Sequence, residues 1–314
     1  MTGRLVALTG ATGFIGRHLL RELPKRGYKL RVLLRRPTML PPEASGAVVG
    51  DLAAPRNMSN ALAGVDAVIH SAGLAHAMSG LPEDDYRAIN TEATVRLARA
   101  AARAGARRFV FLSSIRAQSG PASADALTEE LEARPTDAYG RSKLEAERGL
   151  AEVDIDWVAL RPALVYGPGV KGNMAALVRL AALPVPLPFA SLPGRRSLLS
   201  VDNLVEAVDL ALRAPAPLRR PLLVADPDPL TLAEMIAALR HGLGRRPGLL
   251  PAPVPLLRYA LRLLGRAEAF ERIASSLVVN PGALMRLGWK PPVATRDGLA
   301  ALARTPLVDV KHTV

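Results

Sequence analysis

Gly10-Ala-Thr-Gly13-Phe-Ile-Gly16 follows directly on an apolar run at residues 5–9 and opens a stretch whose apolar positions recur at helical spacing. Strand, glycine-rich turn and helix, in that order, narrow the folds open to this chain more than any other feature. In such a turn the first glycine makes the tight bend. The second lets the backbone approach a pyrophosphate, and the third lets the helix pack closely on the strand. The helix N-terminus then offers free N–H groups and the positive end of its dipole to the phosphates. Thr12, Phe14 and Ile15 complete the turn, and with Gly10, Gly13 and Gly16 they are candidate cofactor contacts.

Strand-like runs recur at 30–34, 67–70, 109–113 and 157–161, separated by helical patterns at 15–23, 58–63, 86–104 and 138–151. That alternation predicts β-α-β units and an α/β fold built on a doubly wound, Rossmann-type parallel sheet. Beyond residue 165 the texture changes, with prolines crowding 183–193, 215–221 and 247–255. The expected organisation is a dinucleotide-binding domain over 1–165 and a smaller, loop-rich substrate-binding region over 166–314. Residues 198–201 and 222–224 read as strands that return to the first sheet, so 196–225 is expected to rejoin the first domain.

Composition removes several chemistries. The chain has no cysteine, which excludes disulfides, thiolate metal sites and cysteine nucleophiles. The five histidines, His18, His70, His76, His241 and His312, show no metal-ligand spacing, so no metal site is expected. A net charge of +13 invites a nucleic-acid reading, but only 6 of the 41 basic residues are lysine and the arginines occur at most in pairs. Aromatic residues are 4% of the chain, too few for base stacking, so no nucleic-acid partner is expected, and acidic or phosphorylated small ligands fit the same charge equally well. Every apolar stretch is cut by Arg or Pro before it is long enough to span a bilayer, and no leader pattern follows Met1; the chain reads as cytoplasmic. The amphipathic, basic stretch 255–265 is expected to pack its leucine face on the domain, with membrane attachment as the alternative.

The second strand should end in the residue that reads the adenosine ribose. An acidic residue there accepts hydrogen bonds from the 2′-hydroxyl, but here Arg35 and Arg36 stand in that place, which favours NADP over NAD through contacts with a 2′-phosphate. Asp51, in Gly50-Asp51-Leu52, falls where a third crossover strand ends and is offered to the adenine amino group. Tyr139 and Lys143 are four apart on a helical pattern and share one face. A phenol is a poor base at neutral pH, and a neighbouring ammonium stabilises its phenolate. The strand through 109–113 leads to Ser113-Ser114 at its carboxyl end, where doubly wound sheets place their ligands, and Ser114 is positioned to hydrogen-bond a reacting alcohol or carbonyl.

Over nearly its whole length the chain resembles the extended short-chain dehydrogenases/reductases of the NAD-dependent epimerase/dehydratase family. The matching residues are TGATGFIG (9–16), GDL (50–52), VIHSAG (68–73), Asn90, RFVFLSS, YGRSK, RPALVYGPG (161–169), SVDNLVEA (200–207) and LGWKPP (287–292). The resemblance implies a catalytic triad of Ser114, Tyr139 and Lys143. It also implies cofactor contacts from Leu52, Ser71, Ala72, Gly73, Asn90, Arg161 and Pro162, the last two beside the nicotinamide. It further implies a nucleotide-sugar substrate whose diphosphate meets Asn173, Arg195 and Arg196, and a homodimer packed through the helices near 86–104 and 137–151.

Family 4,6-dehydratases carry an Asp-Glu pair just after the catalytic hydroxyl residue, where this chain has Ile115-Arg116; elimination would lack its proton-transfer groups. The resemblance therefore points to C4 chemistry on a UDP-sugar, either 4-epimerisation or reduction of a 4-keto sugar. A non-catalytic NADP-binding protein and a reductase of non-sugar carbonyls are the alternatives.

Overall fold

The computed structural model describes residues 3–74, 81–263, 265 and 267–306. His76, His312, the rest of 75–80 and the tail from 307 lie outside the described residues. Seven parallel strands form the central sheet: β1 (Leu5–Thr9), β2 (Lys29–Leu34), β3 (Ala44–Val48), β4 (Ala67–His70), β5 (Arg108–Leu112), β6 (Asp156–Pro162) and, after three short strands described below, β10 (Arg220–Val224). Their spatial order is β10-β6-β5-β4-β1-β2-β3. Chain order reverses between β1 and β4, and that switch point opens the crevice in which such sheets take their ligands.

The sheet is covered on both faces, which is why its central strands are apolar at consecutive positions. Val6 and Leu8 of β1 pack into one core with Leu19 of α1 (Phe14–Glu22) and Leu204 and Val208 of α7 (Val201–Arg213). Ala7 points the other way, into a core with Leu62 of α2 (Met58–Leu62), Leu97 of α4 (Ala93–Arg103) and Ala146 and Leu150 of α5 (Ala138–Ala151). The helical pattern expected over 86–104 is composite. It runs from α3 (Glu83–Tyr86) through a π-helical turn, Arg87–Glu92, into α4.

The remainder has its own core. Here α6 (Gly172–Ala182), α8 (Leu232–Gly242) and α12 (Thr295–Arg304) bury Met174, Val178, Ile236, Leu239 and Leu299 together. Of the two runs expected to return to the first sheet, 222–224 lies in β10 at the sheet edge. The other does not: β9 (Leu198–Ser200) pairs with β7 (Leu164–Tyr166) in a separate two-strand ladder. β7 follows β6 in the chain after Ala163, so β9 meets the chain beyond the central sheet. The antiparallel pair β8 (Arg195–Arg196) and β11 (Leu230–Thr231) completes the region. Past α8 come α9 (Val254–Leu263), α10 (Ala267–Ala274) and α11 (Gly282–Arg286).

A buried carboxylate fastens the two parts. Asp226 is fully buried; it accepts from the Ser200 N–H and from Asn203 Nδ2 at 2.7 Å, while the Tyr166 hydroxyl lies 3.2 Å away. Asn203 in turn accepts from Val293 N–H at 2.9 Å, and its carbonyl receives Trp289 Nε1–H at 3.2 Å. Loss of solvent outweighs these hydrogen bonds and pushes the Asp226 carboxyl up from 3.8 to about 6. A carboxyl raised on folding favours the native state while protonated, so its contribution is lost as pH climbs from the unfolded value to the folded one. The shift corresponds to about 3 kcal/mol. Urea titrations from pH 4 to 7 are therefore expected to show Asp226→Asn gaining about 3 kcal/mol on the wild type across that window, since the amide never ionises. A gap that stays constant with pH would refute this.

Candidate active site

The glycine turn has the form the sequence predicts. Gly10 has φ +72°, and a Cβ there would stand 2.6 Å from Ala72 N; one on Gly16 would stand 2.0 Å from Gly10 O. Beside Gly13 only Gly10 O comes within 4 Å, so that side of the turn is open. Helix α1 has no side-chain cap and no acidic residue in its first turn, which leaves its first amides and its dipole uncountered. Thr12 and Gly13 are exposed, and Phe14 and Ile15 are half-buried at the helix mouth. A dinucleotide phosphate fits this donor set. Arg35 and Arg36 stand exposed directly beyond β2, and neither guanidinium has a partner among the described residues. Asp51 is exposed and accepts from Ala53 N–H at 2.8 Å, closing a tight turn, while Leu52 leans on the core under α2.

Beneath the turn runs a hydrogen-bond chain built around His70, whose function the sequence did not signal. Burial, with the Lys143 charge as a smaller cause, pushes its imidazole down to about 3, so the ring is neutral. The Thr94 hydroxyl donates to the Asn90 carbonyl at 2.6 Å and therefore accepts from His70 Nε2–H at 2.9 Å. Nδ1 then accepts from the Thr9 hydroxyl at 2.7 Å, and Thr9 Oγ1 accepts the amides of Ser71 and Ala72, each at 3.2 Å. The turn after β4, carrying Ser71, Ala72 and Gly73, is thus tied to the π-helical turn. Asn90 sits on that turn and brackets Leu74: its Oδ1 accepts from Leu74 N–H at 2.8 Å and its Nδ2 donates to Leu74 O at 3.2 Å. Nδ2 also reaches Ser142 Oγ at 3.1 Å, and Ser142 donates to the Tyr139 carbonyl at 2.8 Å. π-Turns inserted in a helix are concentrated at functional sites, and this one aims Asn90 at α5.

Ser114, Tyr139 and Lys143 meet at the carboxyl end of β5. Asp137 caps α5, accepting from Gly140 N–H at 2.7 Å, and also pairs with Arg116 from the turn that Ser114 caps. This pairing fixes Ser114 against the start of the tyrosine helix, and the Tyr139 hydroxyl hydrogen-bonds Ser114. Burial pushes the Tyr139 phenol up; the Ser114 hydrogen bond and the Arg116 charge pull it back. The Tyr86 ring closes on Tyr139 edge-on, with centroids 6.3 Å apart. Lys143 Nζ donates to Leu112 O at 3.0 Å and lies 6.0 Å from the Tyr139 ring centroid and 4.6 Å from that of Phe111. Desolvation holds its ammonium down at about 8, with the Glu147 carboxylate opposing.

Glu147, one further turn along the same face, was not picked out in the sequence. It accepts from the Ser113 hydroxyl and from Arg161 Nε at 3.0 Å, and Arg161 also reaches Gln118. The Arg161 guanidinium is therefore turned inward: Glu147 and Arg161 are each 4% exposed, which makes them an internal pair rather than a cofactor-facing charge. Pro162 ends β6, buried beside Val224.

Of the expected diphosphate ligands, one is brought to the site. Arg196 donates to Pro121 O at 3.0 Å and to Ser275 Oγ at 3.0 Å, and burial with the nearby Arg116 and Arg272 charges lowers its pKa. Arg195, the next residue on β8, points to the opposite side, to Pro229 O at 2.9 Å and Glu234 at 3.4 Å. Asn173 is exposed in the first turn of α6. Arg272, on α10, is a third cation that the sequence did not signal. Pro121, which accepts from Arg196, lies on the loop that runs on from Ser114, so Arg196 is joined to that segment.

Residues 6–223 match the family model described as the NAD dependent epimerase/dehydratase family. The chain is 33% identical over 312 residues to a UDP-glucose 4-epimerase of Vibrio cholerae, covering 95% of this chain and 94% of the relative. It is 31% identical to a ceramide reductase of Caulobacter vibrioides (strain NA1000 / CB15N), over 92% of this chain and 87% of that one. Among solved structures it resembles MoeE5 in complex with UDP-glucose and NAD, with a TM-score of 0.73, 27% identity and 95% and 97% of the two chains covered.

Proposed function

Since this chain belongs to the NAD dependent epimerase/dehydratase family, we propose that it acts at C4 of a UDP-sugar, as a 4-epimerase or a 4-keto-sugar reductase. The reading is carried by Arg196, which bonds both Pro121, on the loop that runs on from Ser114, and the Arg272 carbonyl, and so brings two arginines to the segment that carries the Ser114–Tyr139 pair. A nucleotide sugar needs cations for its diphosphate a short reach from the acid/base that serves its sugar ring. The relatives named for UDP-glucose chemistry support the same reading.

A bound nicotinamide supplies the hydride acceptor and donor. Tyr139 takes the C4 hydroxyl proton and returns it, Ser114 holds the same oxygen, and Lys143 supplies the charge that favours phenolate. Arg196 and Arg272 hold the diphosphate, and Asn173 and Arg195 lie at its margins. Elimination is disfavoured because Ile115 is buried and Arg116 is committed to Asp137. The dinucleotide is assigned to residues 1–165 with β10 added, and the sugar to 166–314. The free Arg35 and Arg36 favour NADP, through a 2′-phosphate.

The test is thermal shift and product NMR with UDP-glucose, UDP-GlcNAc and UDP, each with NAD and with NADPH. A rise in Tm with all three uridine compounds and a C4-epimerised or C4-reduced product are expected. Indifference to every uridine compound, with turnover of a non-sugar carbonyl, would replace this reading by the second kind of reductase. In the same assay Arg35→Ala/Arg36→Ala is expected to weaken NADPH about tenfold and leave NADH nearly unchanged, since only the phosphate contacts are lost. Equal losses would remove the NADP preference.

A further inference from the structure

We propose that α9 seats this protein on an anionic phospholipid surface, lying in the plane of the interface. The helix was expected to pack its leucines on the domain, but none of its residues is buried. Val254, Leu257 and Leu261 are half-buried, whereas Leu256, Tyr259 and Leu263 are 60%, 61% and 70% exposed. At 100° per residue those three, with Ala260, form one outward stripe, and Arg258 and Arg262 fall together on its flank. Leu250, 53% exposed, precedes it. Four of the 11 large apolar residues exposed among the described residues thus lie within 250–263, a concentration unlike the scattered single residues of an ordinary surface.

Charge decides what covers the stripe. α9 contains no acidic residue, so a second copy of this helix set against it would oppose arginine to arginine. Arg258 pairs with the exposed Glu271 of α10, at 3.5 Å, and Arg262 has no side-chain partner among the described residues. Arg245 and Arg246 are exposed just before the helix, on a chain of net charge +13. An apolar stripe with a tyrosine, flanked by arginines on one side, suits a surface that is apolar below and phosphate-bearing at its boundary. Ten residues rise about 15 Å, half a bilayer core, so the helix lies on the surface. No helix among the described residues is long and apolar enough to cross a membrane. α9 packs on α10 through Arg258, 5.2 Å from the Phe270 ring centroid, and α10 carries Arg272, whose carbonyl accepts from Arg196. A seated protein would therefore hold the cationic end of its pocket close to the lipid.

The test is sedimentation of the full chain with vesicles of phosphatidylcholine alone and of phosphatidylcholine with about one-third phosphatidylglycerol. Co-pelleting with the anionic vesicles, weak pelleting with the neutral ones and loss of binding in high salt are expected. Leu256→Asp/Leu263→Asp should reduce vesicle affinity by about tenfold or more at unchanged Tm, because neither side chain is buried in the fold. Tyr259→Trp gives an independent signal: anionic vesicles should shift the emission of the new indole to the blue, Trp157 and Trp289 being already buried. The proposal is overturned if the wild type stays in solution with both vesicles, or if the Asp pair pellets as well as the wild type. It is also overturned if the indole emission does not move, or if sedimentation velocity finds a dimer that the Asp pair dissolves.

Discussion

Tyr139→Phe is expected to lower kcat by about 10²–10⁴-fold, the range for removing a positioned acid/base, with the protein folded and still binding its cofactor. The phenyl ring keeps its edge contact with Tyr86, and only the hydroxyl bonded to Ser114 is lost. KM should change little, because that hydroxyl acts on a proton in flight rather than on the diphosphate end of the substrate. The pH profile offers a second reading of the same machinery. Lys143 sits at about 8 in the free protein, so its ammonium is lost as pH rises through that value. With it goes the charge that stabilises the Tyr139 phenolate, and kcat/KM should fall above about pH 8. Lys143→Met should abolish that limb and leave a low, flatter profile. A Tyr139→Phe variant with near wild-type kcat would remove Tyr139 from the chemistry.

Local signals explain why part of the fold was legible in the sequence. Residues 138–151 form the helix with the bounds expected, because Asp137 caps its start and Tyr139, Lys143 and the apolar positions keep one period throughout. The glycine turn was readable because a Cβ at Gly10 or Gly16 would collide with backbone, a constraint that leaves its mark in residue type. The π-turn at Arg87–Glu92 leaves no such mark: one extra residue in a helix alters no composition, yet it sets where Asn90 points. Arg195 and Arg196 look equivalent in sequence, and the alternation of a two-residue strand separates them. For Arg161 the type was informative and the direction was not. An arginine at a strand end can face ligand or core, and Glu147, which decides the matter, is 14 positions away on another element. α9 failed for the converse reason: its amphipathic period is real, but a period cannot say which side the domain occupies.

Glu147→Leu is expected to cost about 3–5 kcal/mol in urea unfolding, because it leaves the buried Arg161 guanidinium without its carboxylate. At 4% exposure Arg161 has no route to water that could replace the contact, and its bond to Gln118 does not neutralise the charge. Glu147→Leu/Arg161→Met removes both charges and fills the space with apolar atoms, so most of the loss should return. A residue of about 1–3 kcal/mol should remain, because Gln118 and the Ser113 hydroxyl lose a partner. Catalysis should not recover in parallel. The Glu147 carboxylate is the one charge that holds the Lys143 ammonium up against its desolvation, and it is absent from both variants. The alkaline limb of kcat/KM should therefore move below about 8 in the single variant and stay there in the double one. Restored stability with an unrestored limb would identify Glu147 as a positioning residue acting through Lys143. If the limb returned with stability, the Glu147–Arg161 pair would be a fastening of the fold and nothing more.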